Sequence, residues 1–462
     1  MNTAPISSTL APSSLARTAF DFKTALAQRA DRRVEARFLE NERLDPEELH
    51  LRQKRRAMSI ARFAFEHTDF YRRRYTESGI TAADLDDPHH FDELPVISKA
   101  ELRDHQAEII ARSRGSRQRL PSSTGGSTGE PLRVFHDRRS PVAAMWWRAF
   151  RWWGIHPSDN RAIIQRERRA ASTKLRELLE WWPTTVQALD ATAMTDATMR
   201  AFVESWRENS PRLLSGYVGG VHEFASFVRE SGIELEPPLA IGVTAAPITP
   251  SQRGFIMETL RAPVFDAYRS AEVPWMAAEC EAHAGLHVFS DVRVLEILDD
   301  YQRPVIPGEE GTVVVTDLCN RVFPLVRYNI GDRTSLVVGP CSCGRGLDRI
   351  RAVQGRLTDV IRLPGGRRIP GGLTGLFNER PDAVSQFQIH QHRDLAITLR
   401  CVPGAADDAR EVIDHVAGTL TRLAEGTVPV RVELVQAIPH EGGKVRVVRS
   451  EAPAPGDSRE VA

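Results

Sequence analysis

The chain lacks an excess of charge of either sign: Lys plus Arg and Asp plus Glu number 61 each over 462 residues. That balance removes the overall attraction that would mark nucleic acid or an anionic membrane as the main partner. Basic runs such as 52–56 and 166–169 read as solvated helix faces. Long apolar runs are missing too, with nothing near the roughly eighteen uninterrupted residues that a spanning helix needs. Residues 1–19 are rich in Ser, Ala, Thr and Pro but have neither a basic start nor a continuous apolar core. They make a poor signal peptide, and 1–20 reads as a disordered leader. Cysteine is scarce, five in number and unevenly placed. An odd, irregular set argues against a disulfide framework and for reduced thiols in the cytoplasm. No internal repeat is present.

What is there is enough apolar material for more than one core, so the length implies two or three domains. Residues 21–67 are charged and helix-prone, with Leu49, Leu51, Met58, Ile60, Phe63 and Phe65 at helical spacing. Strand-like runs at 161–165, 240–244 and 264–267 then alternate with helical ones at 199–209 and from Pro250, which predicts α/β layers. From 286 to 338 the pattern turns to β, with runs at 292–298 and 311–316, and implies a smaller sheet. After Arg356 come short strands, a helix around 409–425 and strands at 430–435 and 445–448, the size of a separate α+β domain. The tail 451–462 reads as disordered.

The sharpest local signal is Ser122-Ser123-Thr124-Gly125-Gly126-Ser127-Thr128-Gly129-Glu130-Pro131. Glycines let the backbone turn its N–H groups onto a phosphate, and the Ser and Thr hydroxyls add donors without bulk. No Lys-Ser or Lys-Thr follows the glycines, so this is not a Walker loop. By itself the segment could also be a Ser/Gly linker.

Four later segments stand in order with it: Tyr268-Arg269-Ser270-Ala271-Glu272, Arg327-Tyr328-Asn329-Ile330-Gly331-Asp332, Gly355-Arg356-Leu357-Thr358-Asp359 and Pro439-His440-Glu441-Gly442-Gly443-Lys444. Together the five resemble the adenylate-forming superfamily over 122–444. Phe70-Tyr71-Arg72, Leu94-Pro95-Val96-Ile97-Ser98-Lys99, Gly285-Leu286-His287 and Cys341-Ser342-Cys343-Gly344-Arg345 resemble its phenylacetate-coenzyme A ligase and capsule-biosynthesis (CapK-like) branch. The resemblance implies an α/β fold with a large N-terminal AMP-binding domain, 21–357, and a small mobile α+β domain, 358–450. It implies that Ser123 to Gly129 wrap the phosphates of ATP, that Ala246 and Tyr268 lie near the adenine, and that Glu272 helps hold Mg²⁺. Asp332 would take the ribose hydroxyls, Arg356 the ribose or phosphate, and Lys444 the α-phosphate and acyl carboxylate during adenylation. Ala271, Thr358 and the loop Thr244-Ala245-Ala246-Pro247 depart from the family's usual residues and bear on the partner substrate and the second half-reaction.

The expected function is ATP-dependent activation of a small-molecule carboxylic acid to acyl-AMP, then transfer to coenzyme A. Transfer to an amine or a carrier protein is the alternative within the class, and a non-catalytic nucleotide-binding homologue the alternative outside it. A homodimer is an open partner. Cys280, Cys341 and Cys343 with His287, or with His283 at Cys-x-x-His spacing, would make a closed structural zinc site; ordinary free thiols are the rival reading. Trp146, Trp147, Trp152, Trp153, Trp181 and Trp182 crowd one region, and core packing is favoured over an acid pocket there. By family analogy, 217–222 and 245–247 are the better candidates for the acyl site.

Overall fold

The computed structural model describes residues 14–123, 132–165, 181–191, 193–353, 361–364, 368–369, 376–377, 380–438 and 447–452. The first helix, Ser14–Ala27, begins inside the stretch read as leader, and Arg29–Asn41 follows. In Pro46–His67 the start is set locally. The Asp45 carboxylate accepts from the Glu47 N–H, Pro46 opens the helix, and Glu47 and Glu48 face its positive end. Leu49, Met58, Ile60 and Phe63 are buried along this helix, while Leu51 stays exposed. Among the described residues, no helix is long and apolar enough to cross a membrane.

The strands β1 (Arg119–Ser123) and β2 (Arg133–Asp137) pair as an antiparallel hairpin around the glycine-rich loop. Five strands then form a parallel sheet: β3 (Arg161–Gln165), β4 (Val186–Asp190), β5 (Leu213–Tyr217), β6 (Ala240–Thr244) and β7 (Val264–Tyr268). The short β8 (Ala277–Glu279) and β9 (Leu286–Val288) extend it antiparallel. A second, three-stranded sheet holds β10 (Arg293–Leu298), β11 (Glu310–Asp317) and β12 (Tyr328–Ser335), and β13 (Arg349–Ile350) returns to pair with β9. The resulting order in the large sheet is β13-β9-β8-β7-β6-β5-β3-β4.

Every residue of β6 and β7 is buried, as expected of strands covered on both faces. One face carries Ala162, Ile164, Leu214, Ile241 and Val243 onto Phe202, Trp206 and Phe224 of the helices Asp196–Asn209 and Val218–Glu230. The opposite face receives the helix Val142–Trp152 and Trp153. Gly242 permits that approach, since a Cβ there would lie 2.6 Å from the Trp153 ring. The strands expected at 161–165, 240–244 and 264–267, the helix from Pro250 and the smaller sheet are all found.

Past the second sheet, Val384–Gln391, Ile397–Pro403, Val430–Leu434 and Val448–Ser450 form a four-stranded sheet with its own apolar cluster under the helix Ala409–Leu423. This is the α+β unit expected from the sequence. The boundary expected between 357 and 358 lies outside the described residues.

Asp266 on β7 is buried, and burial together with the nearby Glu279 charge pushes its carboxyl up to about 7. A folded-state value above the unfolded one adds stability that is complete below about pH 4 and is lost as pH rises through 7. Asp266→Asn should therefore flatten the pH dependence of urea unfolding between pH 5 and 8. It should also leave the variant more stable than the native chain at pH 8, by on the order of 3 kcal/mol.

Candidate functional site

Ligands of open α/β sheets bind outside the carboxyl ends of the strands. Here those ends carry the loops 245–247 after β6 and 269–272 after β7. Ala245 takes a left-handed φ of 78°, a conformation that costs a non-glycine residue on the order of 1 kcal/mol and marks the turn as held by its surroundings. Tyr268, the last residue of β7, donates its hydroxyl hydrogen to Asp332 Oδ2 at 2.7 Å. Burial and the Asp332 charge hold that phenol far above its usual range, so it stays a donor. Two residues proposed for adenine and ribose are thus joined directly, although they lie on different sheets.

Glu272 is 2% exposed and pairs with Lys99 Nζ at 3.0 Å. Lys99 is brought there by an unusual joint. Ile97 bridges Tyr328 in parallel, donating to the Arg327 carbonyl at 2.9 Å and accepting from the Asn329 N–H at 2.8 Å. Ser98 and Glu101 then close a capping box on the helix Lys99–Asp104. The glycine-rich hairpin is tied to the same loop: the Ala271 carbonyl accepts from Ser122 Oγ at 3.1 Å and from His136 Nε2 at 2.9 Å. Burial holds His136 below its ordinary value, so the neutral ring donates through Nε2. Of the residues expected to bind nucleotide, Ser123 ends β1, while Thr124, Gly125, Gly126, Ser127, Thr128, Gly129 and Arg356 lie outside the described residues, as does Lys444. Ala246 and Pro247 line a narrow cleft with Gln386 and Phe387 of the small unit.

Below the carboxyl edge lies a cavity of about 160 Å³ between the sheet and the aromatic helix. Arg161, Ile163 and Gln165 of β3, Tyr217 of β5, Thr244 of β6 and Ala267 of β7 line one side, with Trp146, Phe150, Trp153 and Trp181 opposite. The tryptophan cluster therefore divides. Trp147 and Trp152 pack into the core as expected, whereas Trp146, Trp153 and Trp181 line the cavity, and Trp182 is exposed. Tyr217 and Thr244 belong to the cavity, whereas His222 packs tilted against Phe255 at 4.9 Å.

At the far edge of the sheet, Cys280, His287, Cys341 and Cys343 place their ligand atoms within 4.8 Å of one another. Cys280 Sγ lies 3.8 Å from Cys341 Sγ, and Cys343 Sγ lies 3.3 Å from His287 Nε2. His287 Nδ1 donates to the Leu347 carbonyl at 3.2 Å, which turns Nε2 toward the thiols. Burial pushes the His287 ring down to about 4 and Cys280 up to about 12. Between the two candidate imidazoles the geometry selects His287; His283 faces Glu279 at 3.4 Å.

No family model matches the chain. It is 26% identical over 374 residues to a phenylacetate-coenzyme A ligase of Thermus thermophilus, covering 77% of this chain and 81% of that one. It is 25% identical over 362 residues to the Escherichia coli phenylacetate-coenzyme A ligase, covering 72% and 78%. Protein CapK of Staphylococcus aureus matches at 23% over 255 residues, 54% of each chain. Among solved structures, 2-hydroxyisobutyryl-CoA ligase in its postadenylation state superposes with a TM-score of 0.73 at 21% identity over 89% of this chain and 91% of that one. The amide bond synthetase McbA of Marinactinospora thermotolerans does so with 0.51 at 18% identity, covering 71% and 67%. The structural likeness establishes the shared fold.

Sequence reasoning missed the Lys99 partnership with Glu272 and the cavity role of Arg161. The first was signalled only by the Leu-Pro-x-x-x-Lys landmark. Lys99→Met would leave a buried carboxylate without its cation. Because Lys99 is about one-third exposed, the expected loss is roughly 2 kcal/mol in urea unfolding, below the usual figure for a fully buried pair. The double variant Lys99→Met/Glu272→Gln should recover most of it.

Proposed function

We infer that this relative of the phenylacetate-coenzyme A ligases, built on the adenylate-forming fold, activates a carboxylic acid with ATP and passes the acyl group to coenzyme A. The observation that carries the reading is the joining of Tyr268, Asp332 and the buried Glu272 at the carboxyl edge of the parallel sheet, above an aromatic cavity. A carboxylate is a poor electrophile until its oxygen belongs to a good leaving group. In the first step one of its oxygens attacks the α-phosphorus, the bond from that phosphorus to the bridging oxygen breaks, and pyrophosphate departs. In the second, the coenzyme A sulfur attacks the acyl carbon and AMP leaves with the linking oxygen. The thiol proton passes to solvent.

Asp332, an ionised acceptor, suits both ribose hydroxyls, and the Tyr268 hydrogen bond fixes its orientation. The loop from Ser123 to Gly129 wraps the phosphates, Ala246 borders the adenine, and Arg356 reaches the ribose or phosphate. Glu272 offers the hard oxygen that Mg²⁺ takes when phosphates and waters supply the rest, and the ion would offset phosphate charge. Lys444 neutralises the charge that develops as pyrophosphate leaves. In this reading 21–357 forms the large domain, and 358–450 carries Lys444 and turns about 355–359 between the steps. An amine or a carrier-protein thiol in place of coenzyme A would leave the first step unchanged. The Cys₃His cluster fits structural zinc: tetrahedral sites with bonds of about 2.3 Å set their sulfurs roughly 3.8 Å apart, and no position is left for water.

Acid-dependent exchange of labelled pyrophosphate into ATP should be found with at least one acid in a panel of aryl, arylacetic and fatty acids. Nucleotide binding without exchange from any acid would favour a non-catalytic homologue. Lys444→Ala should slow exchange about a hundredfold while sparing coenzyme A consumption of synthetic acyl-AMP. Asp332→Ala should weaken AMP binding by on the order of tenfold. Equal slowing of both half-reactions by Lys444→Ala would end the step-specific role.

Protein purified without added metal should carry about one zinc per chain, measured by elemental analysis. Cys341→Ser should remove most of it and cost roughly 4 kcal/mol of stability. Native protein without zinc, or a Cys341→Ser variant as stable as the native chain, would reject the site.

A further inference from the structure

The structure pairs most of its buried arginines. Arg148 has Glu42 at 3.1 Å and Asp291 at 2.6 Å, Arg293 has Asp317 at 2.7 Å, and Arg327 has Glu296 at 2.7 Å. Arg161 is different. It is 5% exposed, and its Nε and Nη2 have no hydrogen-bond partner among the described residues. Its guanidinium instead lies 4.4 Å from the Trp181 ring centre, 4.9 Å from Trp146 and 5.6 Å from Phe150. Burial pushes it down to about 10, which still leaves it charged at neutral pH. Aromatic faces return only part of what removing an ion from water costs. The shortfall is what an arriving anion would make good.

The place of this cation in the cavity says where that anion sits. Residues 161, 163 and 165 alternate onto the cavity face of β3, so the cavity runs along the strand. Gln165 is at the carboxyl edge, near Tyr217, Thr244 and the nucleotide residues. Arg161, the first residue of the strand, is at the other end, about 13 Å away at the usual rise per residue. A carboxylate presented to the α-phosphate at the edge cannot also be the group that Arg161 meets.

We propose that the acid carries a second carboxylate at its far end and that Arg161 selects it, making the substrate a dicarboxylic acid. Its body is apolar and lies along the cavity face of β3 beside Trp146 and Phe150, with Trp153, packed on Gly242, as the adjoining wall. This assignment rests on the adenylation reading for which carboxylate reacts. Recognition of the distal one is independent of turnover. A guanidinium matches a carboxylate with two parallel N–H bonds, and the burial of Arg161 limits competition from water.

The test compares linear and aromatic dicarboxylic acids with their monocarboxylic counterparts in two assays on the full chain. Binding is followed by intrinsic tryptophan fluorescence, to which Trp146, Trp153 and Trp181 report from the cavity walls, and turnover by pyrophosphate exchange. At least one dicarboxylic acid should bind on the order of tenfold or more tighter than its counterpart. Arg161→Met should reduce that preference to about twofold or less without lowering the melting temperature, since removing an unpaired buried charge in favour of an apolar side chain does not cost stability. Arg161→Lys, which keeps the charge but not the fork, should retain part of the preference. Equal binding of paired acids by the native chain, or a preference that survives Arg161→Met, would overturn the assignment. So would an Arg161→Met variant that melts lower while keeping its preference, because the cation would then be a packing element. Tight, Arg161-dependent binding of a dicarboxylic acid with no exchange from any acid would sink the adenylation reading and leave this one standing.

Discussion

The arrangement depends on the two-residue alternation of the parallel strands. Because successive side chains point to opposite faces, β3 can give Ala162 and Ile164 to the helices behind it and Arg161, Ile163 and Gln165 to the cavity in front. A slip of one residue would exchange the faces, burying Arg161 among Phe202, Trp206 and Phe224 and filling the cavity with aliphatic side chains. β6 works under the same constraint with a smaller allowance. Its Ile241 and Val243 face the helices, while Gly242 keeps its cavity side bare so that Trp153 can close down on it. The shape of the cavity is therefore set by register and by the closure of Trp153 on Gly242.

Charge is distributed to match. Several buried charges are closed in pairs, Arg148 with Glu42 and Asp291 and Arg293 with Asp317, which fasten the first helices and the second sheet to the core. At the carboxyl edge the carboxylates are instead gathered from separate elements: Glu272 from the loop after β7 and Asp332 from β12. Lys99 pairs with the first, and the Tyr268 hydroxyl donates to the second. Paired charges in the body give rigidity.

Much of this was legible in the sequence because the elements concerned write their geometry into short windows. The strands 161–165 and 240–244 and the helix from Pro250 carry apolar runs bounded by turn residues, and the structure keeps their limits. The motif residues Tyr268, Glu272 and Asp332 could be placed because their spacing and order resemble a known set. The Cys and His positions were legible as a group, while the choice of His287 over His283 needed the Leu347 carbonyl that orients its ring. What stayed hidden depends on contacts between distant segments. Nothing local tells that Lys99 reaches Glu272, since the joint runs through one bridge between Ile97 and Tyr328. Nor does spacing sort the tryptophans, because Trp146 and Trp147 are neighbours that leave the helix on different sides.

The thiol and imidazole cluster belongs to the same mechanical problem as the cavity. β8, β9 and β13 have three, three and two residues, too short for their ladder bonds to hold an edge alone. The cluster draws its members from beside those strands: Cys280 follows β8, His287 sits in β9, and Cys341 and Cys343 precede β13. Trp152 meets His287 edge to face at 5.7 Å, and Trp153 next to it donates its indole N–H to the Glu279 carbonyl at 2.9 Å. The helix that roofs the cavity is thus anchored, through two adjacent tryptophans, on the edge that the cluster closes. Loosening that edge would let the roof move relative to Gly242, so the width of the cavity is set partly by residues outside its lining.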